Sequence, residues 1–284
     1  MRLGYYLAAL CGDVLFLLSA KRRKIVSDNI RHVSGLALDK KRQRGIMRSV
    51  FKHMAKNYFE LTKLSPLRLD KLEELDKLEE NVTIEGWHHL AEAAAEGRGT
   101  IIASAHLGNF DLAVQILVLR GIKPTIFVED FNSTAFLRNV AKLRQRSGAR
   151  TMPVSHGALR EGLRILRCGG TVGIVCDRDI QGNGIKVDFF GESTSLPAGA
   201  VSLALRTGAA IVPVFSVRQP NNRYAIYVEP PLILGDNGNR SHSLREGIEK
   251  LASIMERYIR KNPEQWVVLE PIWKNQAAAV DPKP

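Results

Sequence analysis

Cysteine is scarce: Cys11, Cys168 and Cys176 are the only three in 284 residues. They cannot build a disulfide framework and none stands in a metal-ligand spacing, so a reducing environment is expected and no metal or redox cofactor. Aromatic residues make up only 7%, and no base-stacking motif or helix-turn-helix signature is visible, which counts against a nucleic-acid partner. The EF-hand loop, the His-Glu-x-x-His helix, the P-loop and the full dinucleotide fingerprint are all missing. So is the Gly-x-Ser-x-Gly elbow, which leaves a serine acyl-enzyme unsupported. With 45% hydrophobic and 25% charged residues, a mainly disordered chain is also excluded.

Acidic residues are few where basic ones crowd. The net charge is +12, and residues 1–60 hold 13 Lys and Arg against only Asp13, Asp28, Asp39 and Glu60. Such an excess implies an anionic partner, nucleic acid or a membrane surface. Residues 3–20 are apolar apart from Gly4, Gly12, Asp13 and Ser19, and the run stops at Lys21-Arg22-Arg23-Lys24. Eighteen residues are marginal for a bilayer span, and Asp13 is costly at its centre. A signal peptide fits poorly, since the charge lies on the wrong side of the run. A helix in the interface is expected, its basic cluster held by anionic headgroups on the cytoplasmic side. The alternative is a core helix docked on the domain behind it.

Residues 28–64 read as one helical stretch, with Val50, Phe51, Met54, Tyr58 and Leu61 spaced by threes and fours, ended by Ser65-Pro66. Residues 69–80 read as a solvated connector. Beyond it, β-rich runs at 100–105, 123–128, 171–176, 211–217 and 224–228 alternate with helical runs at 109–120, 133–147, 157–167, 198–207 and 244–261. The pattern predicts an α/β fold with a mostly parallel sheet flanked by helices. The expected divisions are an N-terminal membrane-associated helical segment at 1–80, an α/β domain at 81–274 and a disordered tail at 275–284.

In parallel sheets, function gathers at the C-terminal ends of strands. His106 ends the first of these strands, and Asp111 follows in the first turn of the next helix, with Gly108 for the turn and Asn109 as N-cap. The spacing can bring the Asp111 carboxylate to one imidazole nitrogen while the other takes a proton from a hydroxyl. A strand-end histidine and a capping aspartate are the plainer alternative. Asp177 and Asp179, at the end of another inner strand, are candidates for a second carboxylate, or else cap their loop. Substrate-contact candidates are Arg178, Asn109, Glu192 and, with Arg144 beside them, Arg138 and Arg146, which otherwise form a solvated face. Trp266 and Trp273 are interfacial anchors or packing residues.

The run from His106 to Asp111, His-Leu-Gly-Asn-Phe-Asp, resembles the His-x4-Asp motif of the glycerolipid acyltransferases. It is most similar to the branch that comprises late lipid A acyltransferases of the lauroyl and myristoyl type and phosphatidylinositol mannoside acyltransferase. Glu85-Gly86, Gly97-Arg98-Gly99, Val172 through Asp179, Phe189-Phe190-Gly191, Pro197-Ala198-Gly199, Ala204 through Ala209, Ile211 through Val214 and Asn262 through Trp266 continue the likeness in order. The resemblance implies a glycerolipid-acyltransferase-like fold with its site at the cytoplasmic face of a bacterial inner membrane. It implies acyl transfer from acyl-CoA or acyl carrier protein, as co-substrate rather than cofactor, to a hydroxyl of a glycolipid or lysolipid, as in lipid A biosynthesis. His106 would be the general base and Asp111 its orienting partner. The segment around Glu192 keeps only the outline of a glycerophosphate-binding motif, and Asp177-Arg178-Asp179 leans towards the mannoside side of the branch. A basic nucleic-acid-binding protein and a lipid esterase or hydrolase are the alternatives.

Overall fold

The computed structural model describes residues 2–35, 38–63, 80–129, 139–140, 142–144, 148–154, 156–235 and 238–273. In chain order the first elements are α1 (Arg2–Leu18), α2 (Ala20–Ser34), α3 (Lys40–Lys63), β1 (Val82–Glu85), α4 (Trp87–Ala95), β2 (Thr100–Ser104), α5 (Phe110–Leu119) and β3 (Thr125–Val128). They are followed by β4 (Arg150–Pro153), α6 (His156–Arg167), β5 (Thr171–Val175), β6 (Ile185–Phe189), β7 (Glu192–Leu196), α7 (Gly199–Thr207), β8 (Ala210–Arg218), β9 (Tyr224–Val228) and α8 (Arg240–Lys261).

The central strands β2 and β8 are buried along almost their whole length, as parallel strands covered on both faces must be. Ile101 and Ala103 of β2 and Ile211, Phe215 and Val217 of β8 enter one core with α7 and α8. Ile102, Val212 and Val214, from the alternate positions, enter a second core with α4 and α5. That is the period of two a strand imposes. The sheet order is β1-β9-β8-β2-β5-β3-β4. From β8 to β4 all pairings are parallel, while β9 runs antiparallel to β8 and pairs β1 in parallel. The expected mostly parallel α/β sheet is therefore the one formed. Beyond the expected elements are β1, the short β4 and the antiparallel hairpin of β6 and β7.

The helical stretch expected at 28–64 is instead two helices. Helix α2 starts at Ala20 and ends at Ser34, where Gly35 with a φ of +65° breaks the helical path, and α3 begins at Lys40. Between α1 and α2 the chain bends by 98°. No single described helix is long and apolar enough to cross a membrane, although α1 and α2 together meet the length and composition of a bent span. The connector expected at 69–80 lies almost wholly outside the described residues, and the tail at 275–284 entirely so.

Helix α1 lies against α3 through its small residues. A Cβ on Gly4 would stand 2.2 Å from the Phe59 ring, and one on Gly12 would stand 2.6 Å from the Lys52 backbone. Asp13, costly in lipid, is bound here by Arg48 at 2.5 and 2.7 Å and by Lys52 at 3.3 Å. The opposite side of α1 is bare. Leu3, Tyr6, Leu7, Leu10, Val14, Leu15, Leu17 and Leu18 are all exposed, Leu18 to 78%.

The helices are fixed to the sheet by a buried carboxylate. Glu60, the lone acidic residue of α3, accepts from Arg218 of β8 at 2.6 and 2.7 Å, Tyr5 of α1 at 2.7 Å, Tyr224 of β9 at 2.5 Å and Asn109 at 2.6 Å. Burial alone would raise its pKa, but the Arg218 guanidinium and the tyrosine hydroxyls hold it below the ordinary carboxylate range. Glu60→Gln strands the buried Arg218 charge and is expected to cost about 3–5 kcal/mol in urea unfolding at pH 7. Glu161→Gln, which removes the surface pairs with Arg164 and Arg150, should leave the midpoint nearly unchanged. Because the folded pKa of Glu60 is depressed, its contribution is whole above about pH 4.3 and is lost as pH falls through the folded value. The gap between wild type and Glu60→Gln should therefore narrow in acid. A gap independent of pH would contradict the pairing.

Candidate active site

Strand register builds the site. Thr100 of β2 pairs with Thr171 of β5, and Ser104 with Val175. Cys176 N continues the ladder by donating to the Ser104 carbonyl at 2.8 Å. Two residues past each strand end, His106 and Asp177 therefore stand side by side. His106 Nδ1 lies 2.8 Å from Asp177 Oδ1, and the His106 backbone N–H donates to Oδ2 at 2.9 Å. Trp266 Nε1 donates to the same Oδ2 at 2.8 Å. Asp177 is 0% exposed. Burial alone would push its carboxyl up, and the His106 ring and the Trp266 and His106 N–H groups override that and hold it below its ordinary value. A carboxylate on Nδ1 makes that nitrogen the donor. The lone pair then sits on Nε2, which has no hydrogen-bond partner among the described residues.

The turn after His106 is clamped from three sides. The His106 carbonyl accepts from Val267 N at 2.8 Å, and Gly108 N donates to the Gln265 carbonyl at 2.9 Å. Asn57 Nδ2 donates to the Gly108 carbonyl at 2.5 Å. Gly108 has φ +62°, and a Cβ there would fall 1.7 Å from the Ser216 carbonyl oxygen. Only glycine fits this approach.

His106 lines a cavity of about 950 Å³, near the upper end of the roughly 300–1,000 Å³ usual for ligand sites. Its walls are largely apolar, with Val114 of α5, Ile126 and Val128 of β3, Ile174 of β5, and Val140 and Ala149 from the chain between β3 and β4. Cys11 and Leu15 of α1 line it too, so it borders the helix with the bare apolar face. Three arginines, Arg22, Arg144 and Arg178, supply positive charge.

The structure redistributes the expected residues. The carboxylate on the His106 ring is that of Asp177, not Asp111, whose oxygens take Arg144 Nε at 2.7 Å and Nη2 at 3.2 Å. The physical reason is direction: Asp111 points from the first turn of α5 towards Arg144, whereas Asp177 is placed by the ladder. Asp111 lines the cavity with Arg144, whose guanidinium also lies 5.2 Å from the Phe110 ring. Asp179 is not at the imidazole; it accepts from Gly182 N at 2.9 Å and Gly184 N at 2.8 Å and so closes its own loop. Asn109 caps α5 through Leu112 N at 3.0 Å and gives its amide to Glu60, so both ends of its side-chain amide are bonded within the protein. Glu192 is outside the cavity lining and is bonded to His32 Nε2 at 2.9 Å. Arg178 is at the cavity, paired with Glu129 and, at 2.7 Å, with Glu270. Arg138 and Arg146 lie outside the described residues.

Sequence reasoning missed the roles of Trp266 and of Glu60. Of the two readings of the tryptophans, packing holds, since Trp266 and Trp273 are both buried and Trp273 stacks on His32 of α2 at 4.0 Å; the bond of Trp266 to Asp177 is what was not foreseen. The only advance sign of Glu60 was an isolated acid in a cationic helix.

The family model described as bacterial lipid A biosynthesis acyltransferase matches residues 4–275. A phosphatidylinositol mannoside acyltransferase of Mycobacterium tuberculosis is 31% identical over 196 residues, 67% of this chain and 59% of that protein. The protein of the same name from Mycolicibacterium smegmatis is 30% identical over 203 residues, 69% of this chain and 64% of the relative. The match thus spans less than two thirds of the length of these relatives. By the extent of the family match, the chain belongs to the bacterial lipid A biosynthesis acyltransferase family.

Proposed function

We propose that this protein transfers a fatty acyl chain from an acyl thioester, carried on CoA or acyl carrier protein, to a hydroxyl of an anionic glycolipid, with His106 as general base. The observation that carries this reading is the His106 ring: Nδ1 is held by buried Asp177, Nε2 has no partner among the described residues, and the ring lines a largely apolar cavity of about 950 Å³. Such a cavity suits an acyl chain, and the names of the family and its relatives favour a glycolipid acceptor.

In the reaction, Nε2 takes the proton of the acceptor hydroxyl as its oxygen attacks the thioester carbonyl. Asp177 stabilises the imidazolium that forms. The tetrahedral intermediate collapses with loss of the thiolate, which takes the proton back from Nε2, so an ester and a free thiol leave. No covalent acyl-enzyme is needed. Arg178, Arg144 and Arg22 at the cavity suit an anionic headgroup or a carrier phosphate. Their present carboxylate partners, Glu129 and Glu270 on Arg178 and Asp111 on Arg144, keep those charges compensated before substrate arrives.

The bare face of α1 suits insertion into the interfacial region of a membrane, with Lys21, Arg22, Arg23 and Lys24 on anionic headgroups. A nucleic-acid-binding protein would account for the charge but would give neither the apolar face nor the cavity a role.

Two experiments test these statements. Radiolabelled acyl-CoA and acyl carrier protein donors, offered with a panel of glycolipid acceptors, should yield labelled lipid. His106→Ala should lower the rate by roughly 10²–10⁴-fold. Undiminished transfer by the variant would remove His106 from the chemistry, and release of free fatty acid alone would favour a hydrolase. In the second, the protein should co-sediment with anionic vesicles, and the double variant Leu10→Asp, Val14→Asp should weaken binding at least tenfold, since each buried apolar side chain contributes roughly 1.5–3 kcal/mol. Equal sedimentation of both proteins would contradict the assignment of α1 to the lipid surface.

A further inference from the structure

Asp177 has three hydrogen-bond donors, and one of them does not belong to His106. Oδ1 receives the imidazole, while Oδ2 receives both the His106 backbone N–H at 2.9 Å and the Trp266 indole N–H at 2.8 Å. We infer that Trp266 is a positioning residue, which fixes the rotation of the Asp177 carboxylate and sets the charge it presents to the His106 ring. The inference rests on the reading of His106 as the base of the proposed acyl transfer and gives that site a further component.

Trp266 is held where it can do this. Its ring is buried between Phe189, edge-on at 6.3 Å, and Trp273, edge-on at 6.3 Å. Its backbone is bridged to Leu107. The preceding Gln265 is locked to β8 by two bonds, Arg218 N to its Oε1 at 2.7 Å and its Nε2 to the Arg218 carbonyl at 2.9 Å. The bridge and the Gln265 bonds fix the Trp266 backbone, and the rings of Phe189 and Trp273 pack against the indole that meets the carboxylate.

Trp273 provides the contrast within the same cluster. It too is buried, yet its Nε1 has no hydrogen-bond partner among the described residues. Packing in this cluster therefore does not by itself require an N–H in hydrogen bond.

An N–H on Oδ2 draws negative charge away from the ring. Without it, the carboxylate favours the imidazolium more strongly, and a higher pH is needed to free the base. The titratable or charged groups that share the cavity with the His106 ring include Tyr58 of α3, Arg22 of α2, the Asp111–Arg144 pair, and Arg178 with Glu129 and Glu270, while the Cys176 thiol next to Asp177 is pushed up to about 12 by burial and stays neutral.

The test compares Trp266→Phe with Trp273→Phe in the full chain. For Trp266→Phe, the acid limb of the kcat/KM profile should move up by roughly half to one pH unit, and kcat at pH 7 should fall roughly tenfold with KM within about twofold. For Trp273→Phe, any loss of stability should leave the limb in place. Benzothienylalanine at position 266, which keeps the bicyclic shape but carries sulfur in place of N–H, should reproduce the Trp266→Phe shift even where the phenylalanine variant folds poorly. Carbethoxylation of His106 by diethyl pyrocarbonate, followed across pH by peptide mass spectrometry, reads the same limb without any lipid substrate. It should shift in the same direction, so the role of Trp266 is judged even if acyl transfer is not the reaction. A limb that stays at its wild-type position in both the phenylalanine and the benzothienylalanine proteins would overturn the inference and reduce Trp266 to packing.

Discussion

The parallel pairing of β2 with β5 is the constraint on which the site depends. Thr100 opposite Thr171 fixes every later pair along the two strands. The residues two steps beyond their ends, His106 and Asp177, are then brought together by the ladder rather than by any local turn. A one-residue slip in either strand would turn one of these side chains to the other face of the sheet. Register is secure because Ile101 and Ile102 must each reach its own core. The hydrophobic packing of the sheet and the chemistry of the site are thus set by the same alternation.

Two buried carboxylates carry the polar side of the structure, and each is fully engaged. Asp177 meets the imidazole, a backbone N–H and an indole; Glu60 meets a guanidinium, two tyrosine hydroxyls and an amide. A buried charge is tolerable only when so compensated. The two are linked through few residues. Arg218, the partner of Glu60, is bonded to Gln265, and Gln265 adjoins Trp266 on Asp177. Asn109, on Glu60, caps the helix that follows His106. The helices α1 and α3 are therefore anchored within two or three contacts of the imidazole, and the helix with the bare apolar face shares the cavity wall with the site.

What was legible in the sequence was what short-range periodicity encodes. β-rich runs marked the central strands, the helical runs between them marked α5, α7 and α8, and Gly108 and Asn109 announced the turn and cap that the structure contains. The partner of His106 was harder. Asp111 is five residues away and Asp177 is 71 away, and sequence spacing favours the near one because it cannot display register. Both strands nevertheless place their polar residue six positions after a threonine, Thr100 and Thr171, and strand pairing converts that coincidence into contact. The break between α2 and α3 was missed because the apolar spacing resumes beyond Gly35. β4 was missed because Arg150–Pro153 has little β-branched character. Glu60, Arg218 and Trp266 are joined only in three dimensions, and no local pattern encodes such a network.

The most direct measurement is the state of the His106 ring itself. Nitrogen-15 spectra of ring-labelled protein distinguish a protonated from an unprotonated nitrogen at each position. In the wild-type protein with the ring neutral, the expected result is a proton on Nδ1 and a lone pair on Nε2. Asp177→Asn should disturb that assignment, while Asp111→Asn should leave it as in wild type. The opposite result, a ring indifferent to Asp177→Asn and altered by Asp111→Asn, would contradict a dyad built by strand register and return the orienting role to the carboxylate on α5.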